Sequence, residues 1–181
     1  MLVFGDYVFI PFVFTIQCHY LLDYGDYDSL YQAVPIVLLY FVGYYIFRTS
    51  NSQKNQFKNN PEMNIWGKKP ETVGGKLLIS GFWGLGRHMN YTGDLIMAIA
   101  YCLPCGCQIG GYFYAFYLFT LLTHRARRDD TKCRGKYAAL WRQYTERVPQ
   151  VFVPFEPIDI ILRGMGLGLY TLTNKADLDA L

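Results

Sequence analysis

Asp129 and Tyr137 stand eight residues apart, two turns of an α-helix, so a carboxyl and a phenol at these positions can address one pocket. An acid kept dry beside tyrosines can donate or relay a proton, and Tyr137 or Tyr144 is the hydroxyl through which Asp129 would act. Arg125 lies one turn before Asp129, and Lys54 and Lys58 share a helix face at i, i+4. Two such cationic segments can clamp the phosphates of an anionic ligand from opposite sides, Arg with a planar fork and Lys with a point charge. No G-x-G-x-x-G fingerprint follows a strand, so side chains must hold any nucleotide. The same residues have a plainer reading. Arg125, Arg128 and Asp129 also make a charge cluster suited to a membrane edge, and Lys54 and Lys58 suit positive-inside anchors. The residues alone leave both open.

Other chemistry is weaker. Cys102, Cys105 and Cys107 sit together in CLPCGC, but a zinc site needs a fourth ligand at matching spacing, and His88 and His124 bring no partner pattern. No metal is expected; the thiols read as packing groups and the two histidines as structural donors. Trp83, among aromatics, suits either a stacking platform or an interfacial belt.

The elements that position these residues are those of a membrane protein. The 181 residues are 52% hydrophobic and 18% aromatic with only 17% charged, too apolar for an ordinary soluble domain. Of 17 Lys and Arg, 15 lie between Arg48 and Arg147, a bias of the positive-inside kind. No contiguous basic stripe appears beyond Arg125 to Arg128, so no nucleic-acid partner is expected. Residues 1 to about 22 form an apolar run long enough to span a bilayer, with no signal-peptide pattern. Asp23, Asp26 and Asp28 follow in a loop expected to be luminal, and 31 to 47 make a second span ending at Arg48. From Arg48 to about Lys76 the chain is polar and turn-rich and is expected to face the cytosol.

Residues 77 to 90 read as irregular, and Asn90 as the N-cap of the next helix, with Asp94 favouring its first turn. Asp6 and Asp94 are carboxylates in or near the membrane, where charge is costly. After the Pro104 and Gly106 break, 111 to 124 return as the second arm of a hairpin. That arm continues as one amphipathic helix until Pro149 and Pro154 end it. The fold class expected is all-α, a polytopic transmembrane helical bundle with a cytosol-facing cofactor pocket.

The runs NSQKNQFKNNP at 51 to 61, LLISGFWGLGRHMNYTGDLIMA at 77 to 98, LPCG at 103 to 106 and LLTHRARRDDTKCRGKYAALWRQYTERVP at 121 to 149 resemble the sterol reductase family. That family includes delta-14 sterol reductases, 7-dehydrocholesterol reductases and the reductase-like domain of the lamin B receptor. The most specific element is His124-Arg125, two residues, Arg128-Asp129, three residues, Cys133, two residues, Lys136-Tyr137. Residues 1–150 resemble the C-terminal half of the family's membrane domain, and 151–181 form a divergent tail. The chain departs from the family pattern at Phe82 for Trp, Met89 for Pro, Ala138 for Gly, and in VPQVFVPFEP, where a VPYR ending is usual.

The resemblance implies an NADPH-dependent reduction of a sterol carbon–carbon double bond, the delta-14 bond foremost, in the endoplasmic reticulum or inner nuclear membrane. With no carbonyl to polarise the bond, one carbon is protonated and the other receives hydride, and Asp129, Tyr137 and Tyr144 are the implied acid machinery. Implied cofactor contacts are Lys54, Lys58, Leu78, Trp83, Asn90, Arg125, Asp129 and Tyr137. Partners implied are a sterol and the lipid bilayer, with further N-terminal helices of the family building the sterol pocket. Two other readings stay open: a catalytically silent membrane scaffold like the lamin B receptor, and an isoprenylcysteine-type methyltransferase using S-adenosylmethionine. The last shares the Arg87-His88, Asn90-Tyr91 and Gly93 element, but typically carries glutamates where this chain has Arg128-Asp129.

Overall fold

The computed structural model describes residues 10–24 and 30–152. The expectations for Asp6, Asp26, Asp28 and the tail beyond Phe152 fall outside the described residues. In chain order the elements are α1 (Ile10–Tyr24), α2 (Leu30–Asn59), β1 (Thr72–Val73), β2 (Leu77–Leu78), α3 (Phe82–Leu85) and α4 (Met89–Cys102). Short 3-10 turns follow at Leu103–Cys105 and Ile109–Tyr112, then α5 (Phe113–Tyr137) and α6 (Ala139–Arg147). The chain divides into two compact units, Met1–Tyr45 with Gly93–Leu122 and Ile46–Thr92 with Thr123–Leu181.

In the first unit α1 packs against the two 3-10 turns, burying Val13 and Gln17 completely. Helix α2 is the one described helix long and apolar enough to cross a membrane, with a mean hydropathy of 1.6 over its best window. At 30 residues it rises about 45 Å, more than the ~30 Å hydrocarbon core needs. The second expected span therefore lies within a longer helix: the apolar stretch continues without a break into polar turns of the same helix, which carry Lys54 and Lys58 at their expected i, i+4 spacing. Gly43 permits α2 to meet α4 closely, since a β-carbon there would lie 2.9 Å from the Gly93 carbonyl oxygen.

In the second unit, two tight hairpins form in and just beyond the stretch read as polar and turn-rich. Trp66 and Gly67, both at positive φ, turn the chain between Ile65 and Lys68, whose backbones exchange two hydrogen bonds. Gly74 and Gly75 likewise turn β1 into β2, in register Thr72 with Leu78 and Val73 with Leu77. Two apolar clusters result. Phe57, Ile65, Leu78 and Trp83 form one; Val73, Trp141, Tyr144 and Val148 form the other.

Two helix boundaries differ from expectation. Helix α4 begins at Met89, with Tyr91 N–H and Thr92 N–H donating to the His88 carbonyl, so Asn90 lies inside the first turn and Asp94 beyond it. The long amphipathic helix breaks at Ala138, which takes φ 42 and ψ −114. The break turns Trp141, Tyr144 and Val148, at helical spacing, onto Val73. Burying three large side chains, about 2 kcal/mol each, outweighs a backbone cost of about 1–3 kcal/mol. Pro149 then ends α6 by restricting Val148.

Candidate cofactor site

Within the second unit, the polar end of α2 brackets Trp83. The indole N–H donates to the Ser50 carbonyl at 2.8 Å, and the Lys54 ammonium sits 4.5 Å above the ring. Gln53, buried, accepts the Phe82 N–H at 3.1 Å, and a β-carbon on Gly81, at φ 64, would collide with that amide. Leu78 closes the cluster beneath, so Trp83 is tied at its edge and loaded on one face. Lys58 is exposed one turn past Lys54, in the last turn, where the helix dipole favours a cation.

The start of α4 faces α5. Tyr91 donates its hydroxyl to Asp129 Oδ2 at 3.0 Å, and the Arg125 guanidinium lies 5.8 Å from the Tyr91 ring. Asn90 Nδ2 reaches Asn51 Oδ1 at 3.4 Å, while Asn90 Oδ1 is buried with no protein partner. His88 stacks on Tyr91 at 4.8 Å with planes 10° apart. Desolvation, aided by the positive charges of Arg87 and Lys54 and opposed by Asp129, holds the His88 imidazole down at about 3. It is therefore neutral at physiological pH, and it shares one neighbourhood with Lys54, Arg87 and Asp129. The next residue on each side forms a separate lock: Arg87, buried, pairs with Asp130 at 3.0 Å, and Arg134 takes the other carboxylate oxygen at 3.0 Å.

The tyrosines of α5 and α6 go elsewhere. Tyr137 packs against the second apolar cluster under the Lys136 ammonium, 5.1 Å from its ring. Tyr144 lies within that cluster, 5.1 Å from Trp141, and burial pushes its phenol up despite the pull of Arg87. The carboxylate of Asp129 is thus met by Tyr91, 38 residues away in sequence, and not by the tyrosine two turns along its own helix.

The sequence pattern of the ergosterol biosynthesis ERG4/ERG24 family matches residues 1–156. The chain belongs to this family. It is 46% identical over 160 residues to a delta(14)-sterol reductase of Arabidopsis thaliana, covering 86% of this chain and 42% of that protein. It is 45% identical over 157 residues to the delta(14)-sterol reductase LBR of Gallus gallus, covering 84% and 25%. A 7-dehydrocholesterol reductase of Xenopus laevis is 43% identical over 164 residues, covering 83% and 35%. The chain spans less than half the length of the curated relatives it matches. Family membership sets aside the methyltransferase reading, and the match reaches past residue 150, into the stretch read as a divergent tail.

Three residues that the structure brings to this neighbourhood were not singled out in the sequence. Tyr91 is visible only as the neighbour of Asn90. Arg87 and Asp130 are a pair 43 residues apart whose signal, a buried charge needing a countercharge, exists only in the fold. Among the described residues no three or more of His, Cys, Asp and Glu come together as a metal ion's ligands would.

Proposed function

We propose that this chain is the cofactor-binding portion of a membrane-embedded sterol reductase, and that the polytopic bundle and its cytosol-facing pocket are completed by the additional length its relatives have. The reaction is NADPH-dependent reduction of a sterol carbon–carbon double bond, with delta-14 favoured because two of the relatives above carry that name. The endoplasmic reticulum or nuclear-envelope membrane is its location, and a sterol and the bilayer are its partners.

The observation that carries this reading is the Tyr91–Asp129 pair, flanked by Arg125 and by the unpartnered Asn90 amide oxygen. The residues fit NADPH. Lys54, Lys58 and Arg125 are cations for its phosphates, and Asn90 Oδ1 is an acceptor for a hydroxyl or amide donor. Trp83 acts as the platform that holds Lys54. Bound NADPH supplies the hydride. The protein's part is to orient it, exclude water and hold a proton at Tyr91 Oη, which is hydrogen-bonded to Asp129. The net change would place the proton on one substrate carbon and the hydride on its neighbour.

The test is NADPH titration of the purified chain in detergent. Wild type binds; Arg125→Gln weakens binding about ten- to hundredfold, as loss of a charge-assisted contact does, and Asn90→Leu weakens it less. A wild type that binds no NADPH removes this reading and leaves the silent scaffold.

A further inference from the structure

The residues after α6 fold back over the start of α4. Arg87 N–H donates to the Gln150 carbonyl at 2.9 Å, His88 N–H to the Val151 carbonyl at 3.1 Å, and Arg87 Nη2 to the Pro149 carbonyl at 3.4 Å. Val151 and Phe152 are buried. The Phe152 ring lies 6.3 Å from His88 and 6.5 Å from Tyr91, so three rings cluster and the hydroxyl of one meets Asp129. The strap is pinned through its backbone carbonyls, so its path depends little on side-chain identity, while the Phe152 ring stands beside those of His88 and Tyr91. This stretch is where VPQVF departs from the family's usual ending.

We propose that Phe152 is a positioning residue of the candidate site: it wedges the His88–Tyr91 stack in place and shuts water away from the hydrogen bond between Tyr91 and Asp129. The proposal rests on the proton-handling reading above. A phenol–carboxylate bond keeps its strength and direction only where water does not compete for the carboxylate. Phe152 serves this without a polar atom of its own. The charges facing His88 are Arg87 on its own segment, Lys54 from α2 and Asp129 from α5, with Tyr91 stacked from α4. The strap residues Pro149 to Phe152 carry no charge, so their contribution is exclusion of solvent.

The test uses the full chain in detergent, with Phe152→Ala, Phe152→Leu and Phe152→Val. Ring titration of His88 by NMR, assigned against His88→Phe, reads the seal; NADPH titration reads the site. In wild type His88 stays neutral down to about pH 4.5, consistent with a group held near 3. Phe152→Ala brings its titration up toward the ordinary histidine range. It also weakens NADPH about tenfold, the size of one charge-assisted hydrogen bond. Phe152→Leu stays near wild type and Phe152→Val falls between. In a Tyr91→Phe background Phe152→Ala costs no further affinity, because the two act through one bond, whereas a merely structural role gives additive losses. Unchanged His88 titration in Phe152→Ala overturns the proposal, as does additivity with Tyr91→Phe. If Phe152→Ala does not fold, the Leu and Val variants decide, and equal His88 titration in both overturns it. If wild type binds no NADPH, the functional reading fails, while the His88 titration still judges the seal.

Discussion

The two ends of helix α2 are built on opposite rules. Its first half turns large apolar side chains outward, with Tyr31 92% and Leu38 60% exposed, while its second half buries Ser50, Gln53 and Phe57. Apolar-out suits lipid or further helices; polar-in demands that every buried group find a partner. The polar half has them: Ser50 O takes the Trp83 indole and Gln53 takes the Phe82 N–H. One continuous helix thus passes from a region whose sequence is constrained by hydropathy to one constrained by hydrogen bonding. Substitutions should be tolerated at one end and not at the other.

The largest break is expected at Arg87. Arg87→Leu leaves Asp130 with only its partner Arg134, unties the Pro149 carbonyl, and should lower stability by about 3–5 kcal/mol, as loss of one member of a buried pair does. Denaturant titration in detergent measures it. A loss below 1 kcal/mol would mean that the pair is effectively solvated, and the contrast between the two regions would shrink.

The next effect is pH dependence. His88 is held near 3 in the folded chain against 6.5 unfolded, so only the unfolded chain takes up this proton as pH falls through 6.5. The stability contribution is complete above that pH and is lost below it, by about 1.4 kcal/mol per pH unit down to the folded value, or about 2 kcal/mol by pH 5. His88→Phe keeps a ring on Tyr91 and should flatten this part of the profile. An unchanged acid limb would assign the loss to other groups.

Helix α2 itself supplies the third test. Gln53→Leu removes the acceptor of the half-buried Phe82 N–H and puts an apolar side chain in its place, and should cost about 1–3 kcal/mol. Phe41→Leu, on the outward-facing half, should cost under about 0.5 kcal/mol. Equal costs at both positions would erase the comparison.

What was legible in the sequence was what lies close in the chain. The α2 hydropathic run, the i, i+4 lysines and the Arg125–Asp129 spacing are local, and periodicity carries them. Asn90 misled because cap propensity is also local: its amide is instead drawn to Asn51, 39 residues away, and α4 starts two residues earlier than an Asn90 cap requires. Tyr91 meeting Asp129 follows from no spacing rule. The break at Ala138 was hidden for a different reason. Alanine is the strongest helix former, and the apolar period runs on through it. Only the pull of Val73 on Trp141 and Tyr144 turns the chain there.

That break gives the smallest and most pointed prediction, because glycine's role is reversed between the units. At Gly43 in the first, a β-carbon has no room, 2.9 Å from the Gly93 carbonyl oxygen, and Gly43→Ala should destabilise. At Ala138 in the second, a β-carbon is present on a backbone at φ 42 and ψ −114, a region that glycine occupies freely and alanine does not. Ala138 is exposed, so its methyl contributes little packing to offset that strain. Ala138→Gly relieves about 1–3 kcal/mol of strain and gives back about 0.5–1 kcal/mol through the freer unfolded chain. A net gain of about 1 kcal/mol should appear as a rise in Tm, with NADPH affinity unchanged because Ala138 touches none of the proposed contacts. A fall in Tm would instead mean that the joint between α5 and α6 relaxes when the methyl is gone, and that the turn is held by alanine's stiffness and not in spite of it.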